Sequence, residues 1–390
     1  MPQPITVEFR AMERVLSGQP VAEALPAEVA RLGARRVLLL ASATLNRETD
    51  EIARVRAALG AACTGYYEGM PPHTPRDAVL AATEAAREAQ AELLVSIGGG
   101  SLTDATKMVS LALAHDVRSV DDFEALRFVT HADGTQHRPA LTAPTVRMVS
   151  VPTTLSAGDF NPLAGCTDPA SHAKQAYVHP LMVPRAVILD PAITVYTPEW
   201  VWLSTGMRAV DHAVEGLCAL ECNAYTEGAA RQALRLLGEG LRRCKADPRD
   251  LDARQACQLG MWLSMAGREA NVPMGASHAI GHVLGGTCGV PHGYTTCVML
   301  PNVLRYNAGV NAHRQAIVAE ALGHPGAEAA QVVAGLVAEL GLPRTLREVG
   351  VGPERFREVA EHAMHDRWIH TNPRPIRGPD DVEEILRLAA

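Results

Sequence analysis

Three histidines fall within fifteen positions in the stretch SHAIGHVLGGTCGVPHG, residues 277–293. His278 and His282 are four apart, so on a helix they share one face. His292 follows a break rich in glycine and containing proline. A fourth, His212, lies in TGMRAVDHAVEGL (205–217), with Arg208 four residues before it on the same helical face. Two imidazoles at this spacing can ligate one cation from one helix. Three imidazoles without a carboxylate can equally line a pocket that hydrogen-bonds a polar substrate. A helix that merely carries imidazoles is the third reading, and the spacing alone does not choose among them.

A second chemistry is written in VSIGGGSLTDATKMVSLALA (95–114). It reads as strand, glycines, then helix. Gly98, Gly99 and Gly100 let the backbone approach a phosphate without a Cβ in the way. A helix N-terminus adds free N–H groups and the positive end of a dipole. Ser101 is a candidate cap for that helix, with Asp104 in its first turn. The segment is neither a GKS/T phosphate loop nor GxGxxG. A second turn of small residues follows another strand, VPTTLSAGDFNP (151–162). Thr153, Thr154 and Ser156 supply hydroxyls there, and Ala157-Gly158 keeps the backbone close. Two such turns in one α/β region point to a nucleotide more strongly than either alone.

The elements that must position these residues divide at about residue 192. Before it, RRVLLLAS (35–42), AELLVSIGGGS, TVRMVSVPTT (145–154) and RAVILDP (185–191) are apolar runs of strand length. TLNRETDEIARVRAAL reads as a helix capped by Thr44 or Asn46, and RDAVLAATEAAREAQ (76–90) as another. Alternation of apolar strands with helices predicts a parallel sheet covered on both faces. After Asp190-Pro191 every periodic segment is helical, and no convincing strand follows. The expectation is an α/β nucleotide-binding domain over 1–192 and an all-helical catalytic domain over 193–390. A cleft between such domains is the usual place for a small-molecule site.

Composition narrows the class. The 390 residues are 47% hydrophobic and 20% charged, with a net charge of −7 and no basic stripe. That argues against nucleic acid or an anionic membrane as the main partner. The eight cysteines are scattered without a CxxC pair, which predicts reduced core thiols. The opening MPQPITVEFRAMERV has no apolar signal region, and no stretch reaches membrane-spanning length. A cytoplasmic enzyme is expected.

In combination, GGGSLTDATK, VPTTLSAGDFNPLAGCTD, Lys174, ILDP, STGMRAVDHAVE, SHAIGHVLGGTCGVPHG with MLPNVLRYN, and HTNPRPI carry a resemblance. Their order and spacing resemble the iron-containing (group III) alcohol dehydrogenases, and within them the maleylacetate reductase branch. The resemblance implies a Rossmann-like NAD(P) domain, an all-α C-terminal domain of the dehydroquinate synthase-like fold, and a homodimer. It implies that Gly98, Gly99, Gly100 and Ser101 hold the pyrophosphate and that Asp104 supports their turn. Thr153, Thr154 and Lys174 would meet the nicotinamide half. His212, His278 and His292 match histidines that bind iron or zinc in metal-dependent members, and His282 a further histidine beside nicotinamide and metal.

Two positions depart from the metal-dependent pattern. Where those members carry a liganding Asp, this chain has Arg208. A guanidinium has five donors, no acceptor and a permanent charge. Against a divalent ion about 5 Å away it costs roughly 7 kcal/mol at an effective dielectric near 20. Asp211 lies about 100° round the helix from His212 and is no easy substitute. Maleylacetate reductases also lack the Asp, so the resemblance favours catalysis without metal, with Arg208 anchoring a substrate carboxylate. The second departure is Ser42, where many relatives carry an Asp that excludes a 2′-phosphate; use of both NADH and NADPH is expected. The expected reaction is hydride transfer from NAD(P)H to a carboxylated oxo-acid or enone of maleylacetate type, with His282 first among the proton donors. An Fe- or Zn-dependent alcohol dehydrogenase is the competing reading. A metal-dependent synthase on the same scaffold, and a plain nucleotide-binding module, are the others.

Overall fold

The computed structural model describes residues 5–130, 135–170 and 173–390. Contacts divide it into two compact units, one formed by Phe9–Val129 with His137–Thr197, the other built on Pro198–Ala390.

The strands are β1 (Arg14–Ser17), β2 (Val37–Ala41), β3 (Cys63–Glu68), β4 (Leu93–Gly98), the two-residue β5 (Val129–Thr130) and β6 (Gln136–His137) at the unit boundary, β7 (Arg147–Pro152), β8 (Leu163–Thr167), β9 (Lys174–Val178) and β10 (Ala186–Leu189). Six of them form one sheet in the order β1-β10-β7-β4-β2-β3. Every pairing in it is parallel. The helices of the first unit are α1 (Val21–Arg31), α2 (Ala43–Glu48), α3 (Glu51–Leu59), α4 (Arg76–Glu88) and α5 (Gly100–Ala114). All of β2 is buried, and its alternate residues feed two different cores. Leu38 and Leu40 join Leu94, Met108 and Val109 on one face. Val37, Leu39 and Ala41 join Val95, Ile97, Ile52 and Val55 on the other. This two-sided burial is why these strands read as unbroken apolar runs.

The sheet has a point where the winding reverses. From β2 the chain passes to β3 at one edge; from β4 it passes to β7, on the other side. The crevice beyond the carboxyl ends of β2 and β4 is where open parallel sheets bind nucleotides.

The second unit is helical: α6 (Glu199–Cys218), α7 (Ala224–Ala246), α8 (Leu251–Ser264), the short α9 (Ala266–Glu269), α10 (Ala276–Cys288), α11 (His292–Ala321), α12 (Ala329–Glu339), α13 (Phe356–Ala363) and α14 (Pro379–Leu388). One core cluster joins α10 through Ala279, Ile280 and Leu284 to Val298, Met299, Phe356, Val359 and Ile385. No described helix is long and apolar enough to cross a membrane.

The α/β-then-helical architecture is as expected, with corrections of detail. The run 44–59 is two helices rather than one, and its cap is Ser42, whose Oγ accepts from Leu45 N–H at 3.4 Å; neither Thr44 nor Asn46 caps it. Edge strands β1 and β3 and the antiparallel β8–β9 hairpin were not apparent in the sequence. All eight cysteines are free thiols.

Candidate functional site

Two groups of chemistry-bearing residues emerge, one in each unit. In the α/β unit, three loops meet at the carboxyl ends of β2, β4 and β7. Ser42 N–H donates to Ile97 C=O at 3.0 Å, and Thr153 N–H donates to Gly98 C=O at 2.9 Å. The glycines are what let these turns touch. A Cβ on Gly99 would sit 3.1 Å from Thr154 Cγ2, and one on Gly100 would sit 2.9 Å from Ser156 Oγ. The N-cap of α5 is Gly99, and no side chain caps the helix. Ser101 therefore does not cap it; its Oγ accepts from His73 N–H at 3.3 Å. The first turn of α5 offers N–H groups and a positive dipole end, which suits a phosphate. Ser42, Gly98, Gly99, Gly100, Ser101, Thr153, Thr154 and Ser156 thus belong to one surface.

Asp104 and Lys174 contact each other. Asp104 is the fifth residue of α5, past the first turn. Its Oδ2 accepts from Gly165 N–H at 3.2 Å and lies 3.4 Å from Lys174 Nζ. Lys174 is 47% exposed, and its stem runs over Gly165, where a Cβ would collide with it. The pair ties α5 to the β8–β9 hairpin. A residue with no role in the sequence reading, Lys107, organises the second turn. It is fully buried, and Nζ donates to the carbonyls of Gly158 (2.6 Å), Asn161 (2.7 Å) and Leu163 (2.9 Å). Burial pulls its ammonium down to about 8, against the pull of Asp104 and Asp159.

In the helical unit the four histidines converge. Ring centroids are 4.9 Å apart for His212–His278, 6.3 Å for His278–His282 and 5.6 Å for His282–His292, the last pair stacked parallel. The series runs from buried His212 and His278 to exposed His282 and His292. Three helices supply them. On α6, residues 208, 211, 212 and 215 follow an i, i+3, i+4, i+7 pattern, so one face presents Arg208, Asp211, His212 and Glu215 together. On α10, His278 and His282 share a face. On α11, His292 opens the helix, and Thr295 and Thr296 follow at three and four.

Arg208 is 5% exposed and lies among these rings rather than on a surface. Its Nη1 donates to Thr296 Oγ1 at 3.2 Å and lies 3.6 Å from Asp211 Oδ2. Its Nη2 approaches His282 Nε2 at 3.3 Å. Asp211, set aside in the sequence reading, is part of the group. Its Oδ2 accepts from Ser277 Oγ and Thr296 Oγ1, each at 2.9 Å, and lies 3.3 Å from His278 Nδ1.

The imidazoles do not stand without carboxylates: the structure brings three to them, Asp211, Glu215 and Asp366. Glu215 accepts from the N–H groups of Gly275 (2.9 Å), Ser277 (2.8 Å) and His278 (3.4 Å), and contacts His278 Nδ1 at 2.7 Å. One carboxylate from α6 therefore closes the N-terminus of α10 and orients its first histidine. Asp366 contacts His282 Nδ1 at 2.8 Å. The HTNPRPI stretch braces the same helix end: Asn372 Oδ1 accepts from Ala276 N–H at 3.3 Å, and Thr371 Oγ1 donates to Met274 C=O at 2.7 Å.

Burial sets the charge states. Burial first, then the charge of Arg208, hold His212 and His278 well below the usual imidazole range, so both are neutral at pH 7. Burial pushes Asp211 upward against Arg208 and its two hydroxyl donors. Burial, then Asp211, pushes Glu215 up against its backbone donors. Among the described residues, Asp211, Glu215 and His278 are one set whose ligand atoms could surround a cation. Their spacing is that of hydrogen bonds, and an ion would have to displace the partners just described. Two ring nitrogens, His212 Nδ1 and His278 Nε2, are buried without a hydrogen-bond partner.

The comparisons with known proteins agree on a family. The iron-containing alcohol dehydrogenase model matches residues 13–191, and the Fe-containing alcohol dehydrogenase family, C-terminal, matches residues 202–390. The chain is 33% identical to maleylacetate reductase 2 of Cupriavidus pinatubonensis, over 96% of this chain and 94% of that one. It is 34% identical to the dehydrogenase ALT3 of Alternaria alternata, over 92% and 99% respectively. Among solved structures, maleylacetate reductase from Agrobacterium tumefaciens superposes with a TM-score of 0.83 at 27% identity, covering 100% of this chain and 98% of that one. This chain belongs to the iron-containing alcohol dehydrogenase family and is an NAD(P)-dependent oxidoreductase.

Proposed function

We propose that the protein is a maleylacetate reductase-like enzyme, reducing a carboxylated oxo-acid or enone without a catalytic metal. The observation that carries this is Arg208, a buried guanidinium set among the histidines with Nη2 3.3 Å from His282 Nε2. A divalent ion does not suit that setting. Arg208 offers five N–H donors and no lone pair, and its charge opposes the ion's. The carboxylates within reach are engaged by hydroxyls, backbone N–H groups and His278. A substrate carboxylate does suit it, because a guanidinium edge pairs with two oxygens in parallel. The maleylacetate reductases of Cupriavidus pinatubonensis and Agrobacterium tumefaciens, so named, support the same substrate class.

NAD(P)H, when bound, supplies the hydride. The glycine turn and the uncapped start of α5 would hold its pyrophosphate, with Ser42, Thr153, Thr154 and Ser156 lining the same surface. Ser42 leaves no carboxylate at the end of β2 to repel a 2′-phosphate, so both NADH and NADPH are accepted. Each hydride must be matched by one proton at the reduced substrate. His282 is an exposed imidazole with Nε2 3.3 Å from Arg208 Nη2 and is the group best placed to hold that proton, with His212, His278 and His292 shaping the pocket. A homodimer in the cytoplasm fits this reading.

The test is NADH oxidation with maleylacetate-type oxo-acids against simple aldehydes, with and without added Fe²⁺ or Zn²⁺. The expected result is turnover of the carboxylated acceptors, unaffected by metal or chelator. Arg208→Ala should lower kcat/KM for those acceptors by about 10- to 100-fold, the value of a hydrogen bond to a charged group. Metal-stimulated turnover of simple aldehydes, with Arg208→Ala harmless, would overturn the proposal.

A further inference from the structure

His282 is flanked by two groups of opposite hydrogen-bonding character. On the Nε2 side stands Arg208 Nη2 at 3.3 Å, which can only donate. On the Nδ1 side stands Asp366 Oδ2 at 2.8 Å, which in its ionised form can only accept. Only one neutral tautomer satisfies both neighbours: the proton on Nδ1, the lone pair on Nε2. We propose that Asp366 is a positioning residue for His282: it holds the Nδ1 proton and the ring orientation in both charge states, so that Nε2 is the nitrogen that takes up a second proton and releases it to the reduced substrate.

The carboxylate is itself held. Trp368 N–H donates to Asp366 Oδ1 at 2.8 Å, leaving Oδ2 for the imidazole. Asp366 N–H in turn donates to Ala363 C=O at the end of α13, at 3.0 Å. The indole of Trp368 lies under two guanidinium groups, Arg268 at 4.5 Å and Arg367 at 4.0 Å from its ring centroid. These contacts stiffen a turn that has no regular structure of its own. Burial pushes the Asp366 carboxyl up, but the charge and hydrogen bond of His282 and the Trp368 N–H outweigh it and hold it below the ordinary range, so the acceptor-only form prevails. Nothing in the local sequence EHAMHDRW announces this, because its partner lies 84 positions away.

The inference rests on the reading of His282 as the proton-holding group. Its test compares the full-length enzyme with Asp366→Ala and Asp366→Asn, on whichever acceptor the wild-type protein turns over, so that a wrong substrate assignment is seen separately in the wild-type screen. In Asp366→Ala, kcat should fall by roughly 10- to 100-fold, the usual penalty for removing a carboxylate behind a working histidine. KM and the NADH dissociation constant should stay within about twofold, since Arg208 and the glycine turn are untouched. Added formate should restore part of kcat by replacing the missing carboxylate, a rescue that a misfolded variant does not show. Asp366→Asn keeps the shape and covers the case in which the alanine variant fails to fold. Trp368 N–H would claim its oxygen, turning the amide NH₂ toward Nδ1 and driving the proton to Nε2, where it faces the Arg208 donors. Its kcat should fall at least as far as that of the alanine variant, with melting temperature nearly unchanged. Unaltered kcat in Asp366→Asn, or in both variants, would overturn the proposal. So would losses spread equally over kcat, KM and NADH binding without formate rescue.

Discussion

The glycine-turn surface and the histidine group are built on opposite principles. In the α/β unit the turns present backbone and small hydroxyls, and the strong charge, Lys107, is buried among the loop carbonyls it holds in place. In the helical unit the ionisable groups themselves make up the site, most of them buried, and are packed so that Arg208, Asp211, Glu215, Asp366 and four imidazoles each depend on a neighbour. A site of the first kind can lose affinity without losing its fold. In a site of the second kind, function and stability are not separable, because an unpartnered buried charge is costly.

Four substitutions sharpen or break that contrast. The largest effect is expected from Glu215→Ala. It strips the acceptor from Gly275, Ser277 and His278, and should cost about 3 kcal/mol or more of stability in chemical denaturation, together with most of the activity. Next comes Lys107. Its folded-state value of about 8 lies below the 10.5 of a free lysine, so the unfolded chain binds more protons between those values. The native state therefore gains on the unfolded one as pH rises from about 8 toward 10.5. Denaturation at pH 7.5 and 9.5 should show wild type gaining, relative to Lys107→Met, by up to about 3 kcal/mol over the full window. Third, Gly100→Ala brings a methyl group to 2.9 Å from Ser156 Oγ. NADH binding, followed by fluorescence, should weaken about tenfold, or roughly 1.4 kcal/mol, with melting scarcely changed. If this variant unfolds as readily as Glu215→Ala, the contrast between the two surfaces fails. The smallest effect is Ser42→Asp, which should reduce kcat/KM for NADPH by about fivefold, near 1 kcal/mol, and leave NADH alone.

Legibility in the sequence followed the same division. Strands β2, β4, β7 and β10 declare themselves because both faces are buried, which leaves continuous apolar runs. The edge strands β1 and β3 are only half-buried, and Gly65 interrupts the second, so neither has a clear period. The β8–β9 hairpin runs from an apolar pair, Leu163 with Val178, to a polar one, Thr167 with Lys174, and neither strand alternates cleanly. The glycine turn was visible as a motif, but the caps were not. Thr44, Asn46 and Ser101 are all plausible cap residues by type, and only the path of the chain selects Ser42 and Gly99.

In the helical unit, spacing revealed Arg208 with His212 and His278 with His282, because these pairs sit one turn apart. Asp211 and Glu215 complete the same pattern on α6 and were legible in principle. Asp211 lies about 100° round α6 from His212, and its partners are Arg208 one turn back and Ser277, Thr296 and His278 from other helices. Asp366 and Lys107 lay beyond any local reading. Their partners are 84 and 51–56 positions away, and a carboxylate or ammonium in mid-sequence looks like any other until the fold brings its counterpart.

Lys107 has one more consequence. Proteins often organise a loop of inward-facing carbonyls with a captured metal ion, and such a loop loosens when the ion is diluted, dialysed or outcompeted. Here the cation is grafted to the helix that the loop must follow. Its local concentration is fixed by covalent bonds, so residues 158–163 keep their shape whatever salts the surroundings provide.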